Sequence, residues 1–262
     1  MSYWRFPHCF GGVILKKLKG SNNITKEKPQ ILECEKTWVF VTLMFVAGFY
    51  GAYTYSIRGG VFCNAQTANF IFMAMELSKG QWLGGLYYFI PMFAYLVGAI
   101  VSESIPSTIK KSGFIRWDTL LVFIEIIVVI FIGFLPETAP FQISQIAINF
   151  ICSMQYNTFR QSDGIPMATT FCTNHLRQTG VSIVKIVKRK GDMNENIKRF
   201  VSHILMLFVF VCGGIVSAAF CYIIMGKAIW IALIPLIIVF VRLLYVDVKN
   251  ENNSLSKTPK GH

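Results

Sequence analysis

Six long apolar stretches separated by polar connections dominate the chain: Trp38–Ile57, Leu83–Val101, Thr119–Leu135, Ile143–Phe159, Phe200–Ile224 and Ala228–Val246. A helix needs about 20 apolar residues to cross the hydrocarbon core. Each stretch therefore predicts a membrane-spanning helix, the third and fourth near the short limit. Pro136 and Pro140 mark the turn between those two, as proline does where a helix must stop.

Two further segments are too short or too polar for simple spans: Asn64–Leu77 and Ala168–Val187. Both open on a cluster of Thr, Asn, Gln or His. Both follow a glycine-containing turn, Arg58-Gly59-Gly60 in one case and Arg160-Gln161-Ser162-Asp163-Gly164 in the other. They read either as short tilted spans or as re-entrant, broken helices. Irregular backbone at membrane depth survives only where protein or a water-filled cavity covers it.

Composition agrees with a lipid-facing chain. Hydrophobic residues make up 54% of it and charged residues 15%, where a soluble domain carries about a quarter charged. The mean hydropathy is +0.52. The net charge of +12 does not point to nucleic acid. Lys and Arg gather beside the apolar segments, where positive-inside topology and anionic headgroups account for them. Residues Met1–Lys36 show a short apolar run, Phe10–Leu15, but no long hydrophobic region leading to a cleavage site, so no cleaved signal peptide is expected. The seven cysteines include no CxxC pair, and neither a metal cluster nor a disulfide framework is expected.

Charge also orders the topology. If both short segments re-enter, six spans put 22 Lys and Arg inside and 3 outside. If both cross, eight spans leave 19 inside and 6 outside. The positive-inside rule favours the first arrangement, with both termini cytoplasmic. The expected organisation is a basic N-terminal segment (1–36), one membrane domain (37–247) and a polar C-terminal tail (248–262).

The membrane domain contains an internal repeat. Val97–Ser102 reads VGAIVS and Cys212–Ser217 reads CGGIVS. Upstream, Thr67-Ala68-Asn69 corresponds to Thr173-Asn174-His175, and Tyr53-Thr54 corresponds to Asn157-Thr158. Each half, about 37–137 and 138–247, holds three spans and one short segment. Because three is odd, consecutive halves sit in opposite orientations, which is the inverted-repeat plan of many transporters.

The polar clusters are the candidate substrate site: Asn64, Gln66, Thr67 and Asn69 from the first, with Thr169, Thr170, Thr173, Asn174 and His175 from the second. Polar groups inside a bundle are costly unless paired, and they face the interior by default. Helix N-termini placed there suit a polar or anionic solute. The plainer alternative is that these side chains cap the short helices and brace neighbouring spans. Arg58 and Arg160 hold matching places at the mouths, either steering solutes or anchoring at headgroups. Glu125, mid-span, and His175 are candidate proton-coupling groups. No GxSxG, HExxH, Walker A or GxGxxG motif occurs, so no catalytic residue, metal or cofactor is expected.

The run Gly48–Tyr55 with Arg58–Asn69, and then Met154-Gln155-Tyr156, Phe159-Arg160 and Ala168–Arg177, resembles the two signatures of the YoaK-like membrane proteins, which carry domain of unknown function 1275. The resemblance covers most of Val46–Ala219. It implies a bacterial inner-membrane protein of about six spans and no established activity. The chain departs from the family pattern at Gly51, where an acidic residue is usual. It departs again at Thr67-Ala68-Asn69 and Thr173-Asn174-His175, where Thr-Gly-Asn is usual.

The expected protein is thus an all-α bundle of six spans and two short helices in two inverted halves. Its expected function is a secondary transporter or channel-like permease for a small polar or anionic metabolite. A non-transporting scaffold or regulatory subunit is one alternative. A membrane-embedded enzyme, which would need groups such as Glu125 and His175 to converge, is another. Expected partners are anionic lipid and a small solute, not nucleic acid, and self-association into a homo-oligomer is compatible with the pattern.

Overall fold

The computed structural model describes residues 31–104 and 115–249. The basic lead-in through residue 30, the 105–114 connection with Lys110 and Lys111, and the tail from 250 lie outside the described residues. The fold is all-α apart from one two-residue hairpin. Among the described residues eight helices follow in order: α1 (Thr37–Ile57), α2 (Gln66–Ser78), α3 (Trp82–Ser104), α4 (Trp117–Gly133), α5 (Phe141–Thr158), α6 (Cys172–Val187), α7 (Met193–Ile224) and α8 (Leu233–Lys249). A 3-10 turn, Met225–Ala232, links the last two. Five of the six apolar stretches become α-helix over most of their length, and the sixth, Ala228–Val246, begins in the 3-10 turn and is α-helical only from Leu233. Three helical stretches in the described chain are long and apolar enough to cross a membrane: Thr37–Ile57, Trp82–Ser104 and Met193–Lys249.

The short segments become α2 and α6, and α2 begins beside the middle of two longer helices. The Asn64 amide donates to the Ala47 carbonyl at 3.0 Å, halfway along α1. Gln66 donates to Asn149, halfway along α5, at 2.8 Å. The chain leaves the end of α1, runs back as irregular backbone to mid-bundle, and returns as α2. That helix ends where Glu76 and Leu77 meet Gly84 and Gly85 at the start of α3. The start of α6 sits between mid-α3 and the last turn of α5. Phe171, just before α6, packs its ring 6.5 Å from Tyr95 in mid-α3 and 4.6 Å from Tyr156 near the end of α5.

Two backbone-on-backbone crossings hold the long helices. α1 packs most extensively on α7, and α3 on α5. A Cβ at Gly213 would collide with the Phe45 carbonyl, and one at Gly48 with the Phe210 carbonyl. At the other crossing, a Cβ at Gly98 would collide with the Phe150 carbonyl. Gly98 and Gly213 are the matching glycines of VGAIVS and CGGIVS. Small residues at such sites let helices approach where lipid supplies no hydrophobic drive.

At one end, Asp163 and Gly164 take positive φ in a tight turn between strands Gln161–Ser162 and Ile165–Pro166. Such turns match the twist of hairpin strands. The hairpin docks on the start of α1. Asp163 accepts from the Thr37 backbone N–H at 3.2 Å and also from its hydroxyl, and a carboxylate there complements the helix dipole. At the same end, Thr119 of α4 donates to Asp247 of α8 at 2.6 Å, and Arg116 pairs with Asp118 at 2.9 Å.

Gly48→Ala and Gly213→Ala each drive a methyl into a partner backbone. Each is expected to cost at least about 1–3 kcal/mol, read as a lower melting temperature in detergent. Gly180→Ala, where an added Cβ meets nothing within 4 Å, is the control. It removes a mid-helix glycine and is expected to hold or raise the melt by up to about 1 kcal/mol.

Candidate functional site

The first polar cluster is largely spent on its own loop. Asn69, fully buried, accepts from the Phe62 N–H at 3.0 Å and donates to the Phe62 carbonyl at 2.6 Å. It also donates to Gln66 at 3.2 Å. Gln66 donates in turn to the Cys63 carbonyl and to Asn149. These bonds clamp the irregular 58–65 segment at mid-bundle, where unsatisfied backbone groups would be expensive. Thr67 is exposed and is not part of this interior group. The amide of Asn64 lies over Gly51, 3.0 Å from where a Cβ would stand. Any side chain at Gly51 would press on Asn64.

The second cluster divides. Thr169 and Thr170 are buried, and neither hydroxyl has a hydrogen-bond partner. Thr173 is exposed, and Asn174 accepts from Arg177 at 3.1 Å. His175 is fully buried and meets His203 of α7, with the two Nδ1 atoms 3.0 Å apart. Dispersed in sequence, these two histidines are neighbours in the fold. His175 Nε2 lies 2.8 Å from the Ala168 carbonyl, which can only accept. Nε2 therefore carries the proton, Nδ1 of His175 is the acceptor, and His203 donates from its Nδ1. Among the described residues no third His, Cys, Asp or Glu joins them in a metal-binding group.

At the centre, five elements converge. Glu125 of α4 is fully buried, and neither carboxylate oxygen has a hydrogen-bond partner. It neighbours Tyr50 of α1 and Cys152 of α5. Cys152 is in thiol contact with Cys63 of the 58–65 segment. Tyr95 of α3 interacts with the same two cysteines and with Ser153. The hydroxyls of Tyr50, Tyr95 and Ser153 are buried and unpaired as well. A sequence scan picks out Glu125 as a mid-span acid, but not its companions, because tyrosine, serine and cysteine in apolar runs look ordinary. Glu125 and His175 do not pair: His175 is committed to His203 and Ala168.

The two arginines hold opposite ends of the bundle. Arg58 is 1% exposed, so it is neither an open steering group nor a headgroup anchor. Its Nε donates to the Tyr53 hydroxyl at 2.9 Å, and its guanidinium lies 3.7 Å from Glu137. Glu137 also accepts from the Gly226 N–H at 2.7 Å. One guanidinium nitrogen, Nη2, keeps no hydrogen-bond partner. Arg58 thus ties the end of α1 to the α4–α5 turn and to the break between α7 and α8. Arg160 is partly exposed and pairs with Glu103 at 2.7 Å.

Neither a curated protein nor a solved structure matches the chain. A family model described as "Protein of unknown function (DUF1275)" matches residues 39–242. That span runs from the second turn of α1 into α8 and takes in the glycine crossings, both short helices and the central cluster. By that match, the chain belongs to the DUF1275 family.

Proposed function

We propose that this protein is a secondary transporter or channel-like permease for a small polar metabolite. Solute would be handled at mid-depth, where α2 and α6 begin. The observation that carries the reading is the central cluster. Glu125, Tyr50, Tyr95 and Ser153, from four helices, turn polar atoms without partners into one buried region. A buried unpaired polar group costs about 1–3 kcal/mol, more when charged. A purely structural bundle gains nothing by collecting several of them. A pathway that exchanges hydrogen bonds with a passing solute does.

The architecture supports the same reading. Six spans with two re-entrant helices, in two inverted halves with cytoplasmic termini, would sit in a bacterial inner membrane. Gly98 and Gly213 occupy corresponding places in the two crossings, each against a carbonyl of the first long helix of the other proposed half. Half-helices that start at mid-depth are a common way to build a transporter site. Rocking one crossed pair, α1 with α7, against the other, α3 with α5, would open the centre alternately to each side.

A scaffold or regulatory role has one observation in its favour: the amides of Asn69 and Gln66 are spent on the loop and on Asn149 of α5. Those residues would then be bracing rather than binding.

Two measurements test the proposal. Single cysteines placed at Lys79 and Lys227 of a cysteine-free variant are expected to react with impermeant maleimide from outside, and one at Lys188 from inside. Labelling of Lys79→Cys from the cytoplasmic side would mean that α2 crosses. In a metabolite-pool melt screen, a ligand at a hundred times its dissociation constant is expected to stabilise the fold by about 2.7 kcal/mol. That shift should vanish in Glu125→Gln while the variant stays folded. A melt unmoved by any pool leaves the scaffold role as the better account.

A further inference from the structure

The chemistry of the central cluster narrows the solute class, and this step rests on the permease reading above. We infer that the Glu125 cluster binds a small organic cation carrying N–H donors, an ammonium or guanidinium group, rather than the anion that the sequence allows. Both Glu125 oxygens are buried and free of hydrogen bonds. An ionised carboxylate only accepts, and two free oxygens match a donor fork. The surrounding groups are Tyr50, Tyr95, Ser153, Cys63 and Cys152. None is cationic, and each hydroxyl can accept as readily as donate. Tyr50 and Tyr95 are also of the residue type whose ring attracts a cation.

The arginines do not reverse this. Arg58 is held by Tyr53 and Glu137 at one end of α1. Arg160 is held by Glu103 and Asn157 past the end of α5. An anion entering the centre would meet one buried carboxylate and no compensating charge. A desolvated pair between that carboxylate and a guanidinium satisfies both partners, which is the condition for a buried ion pair to be tolerated.

Guanidinium is the probe, because it stays charged at every working pH and carries N–H donors on all sides. Purified protein in proteoliposomes is expected to take up radiolabelled guanidinium faster than protein-free liposomes. In Glu125→Gln the rate should fall at least tenfold. Guanidinium should also raise the melting temperature of the wild type and not that of Glu125→Gln, whose fold is checked by its own cooperative melt. Tyr50→Phe, which keeps the ring and removes one acceptor, should weaken the shift without abolishing it. Uptake of lactate or glycerol with no guanidinium uptake and no shift overturns the cation assignment and leaves the permease reading standing. A Glu125-dependent shift with no uptake of any solute keeps the binding site and sinks the permease reading. If neither shift nor uptake appears, both fall. A response to acid alone, with none to guanidinium, replaces the organic cation with a proton.

Discussion

Everything in this bundle hangs on the close approach of α1 to α7. In lipid there is no hydrophobic gain from bringing two apolar helices together, so contact must be made by packing. Gly48 and Gly213 allow it by leaving no Cβ between each helix and the other's carbonyls. The crossing falls at the middle of α1, the level from which the Ala47 carbonyl receives the Asn64 amide. The same crossing therefore lies level with the point that the 58–65 segment reaches along α1. The α3–α5 crossing through Gly98 does the corresponding work on the other side.

With the frame set, the interior has to reconcile a polar sequence with an apolar solvent. It does so in two ways. Around α2, side chains satisfy irregular backbone: Asn69 closes both polar groups of Phe62, and Gln145 donates to the Arg58 carbonyl at 2.6 Å. Around Glu125, Thr169 and Thr170, polar atoms stay unpaired. The first solution spends hydrogen bonds to make a rigid, non-helical wall. The second leaves hydrogen-bonding capacity unspent in the interior. A rigid wall and unspent capacity are what the proposed solute site would require, since orienting groups must not rearrange each time they bind.

Much of this was legible in the sequence, for physical reasons. Apolar runs of span length show themselves because lipid demands them, and the two polar short segments stood out against that background. The VGAIVS and CGGIVS echo pointed at the two glycines that make the crossings, because close packing tolerates few residue types. Contacts made by ordinary residues far apart in sequence were not legible. His203 looked like an isolated residue in a long helix until α6 brought His175 beside it. Arg58 looked like a mouth residue because nothing local reveals that Glu137 and the Gly226 turn close over it. Thr67 and Thr173 were drawn into the clusters by proximity in sequence, yet they point outward because a helix turns them away.

The departure at Gly51 gains a physical meaning in the fold. A carboxylate at that position would stand against the Asn64 amide and the segment leading into α2. In this chain the position is empty of side chain, and the unpaired interior carboxylate comes from α4 instead, as Glu125. Both positions border the same stretch, Cys63–Asn64, since Tyr50 next to Gly51 feels both Glu125 and Cys63. A negative charge can thus be supplied to one interior region from either of two helices. Moving it from α1 to α4 takes it off the crossed pair that includes α7 and places it on a helix braced chiefly by α8. If α1 and α7 move as a unit, the charge would then stay with the stationary part while the crossed pair shifts past it. Under the permease reading proposed above, the solute would be held by the frame and released by the movement of its neighbours, with occupancy and conformational change coupled through Tyr50 and the 58–65 segment rather than through Glu125 itself.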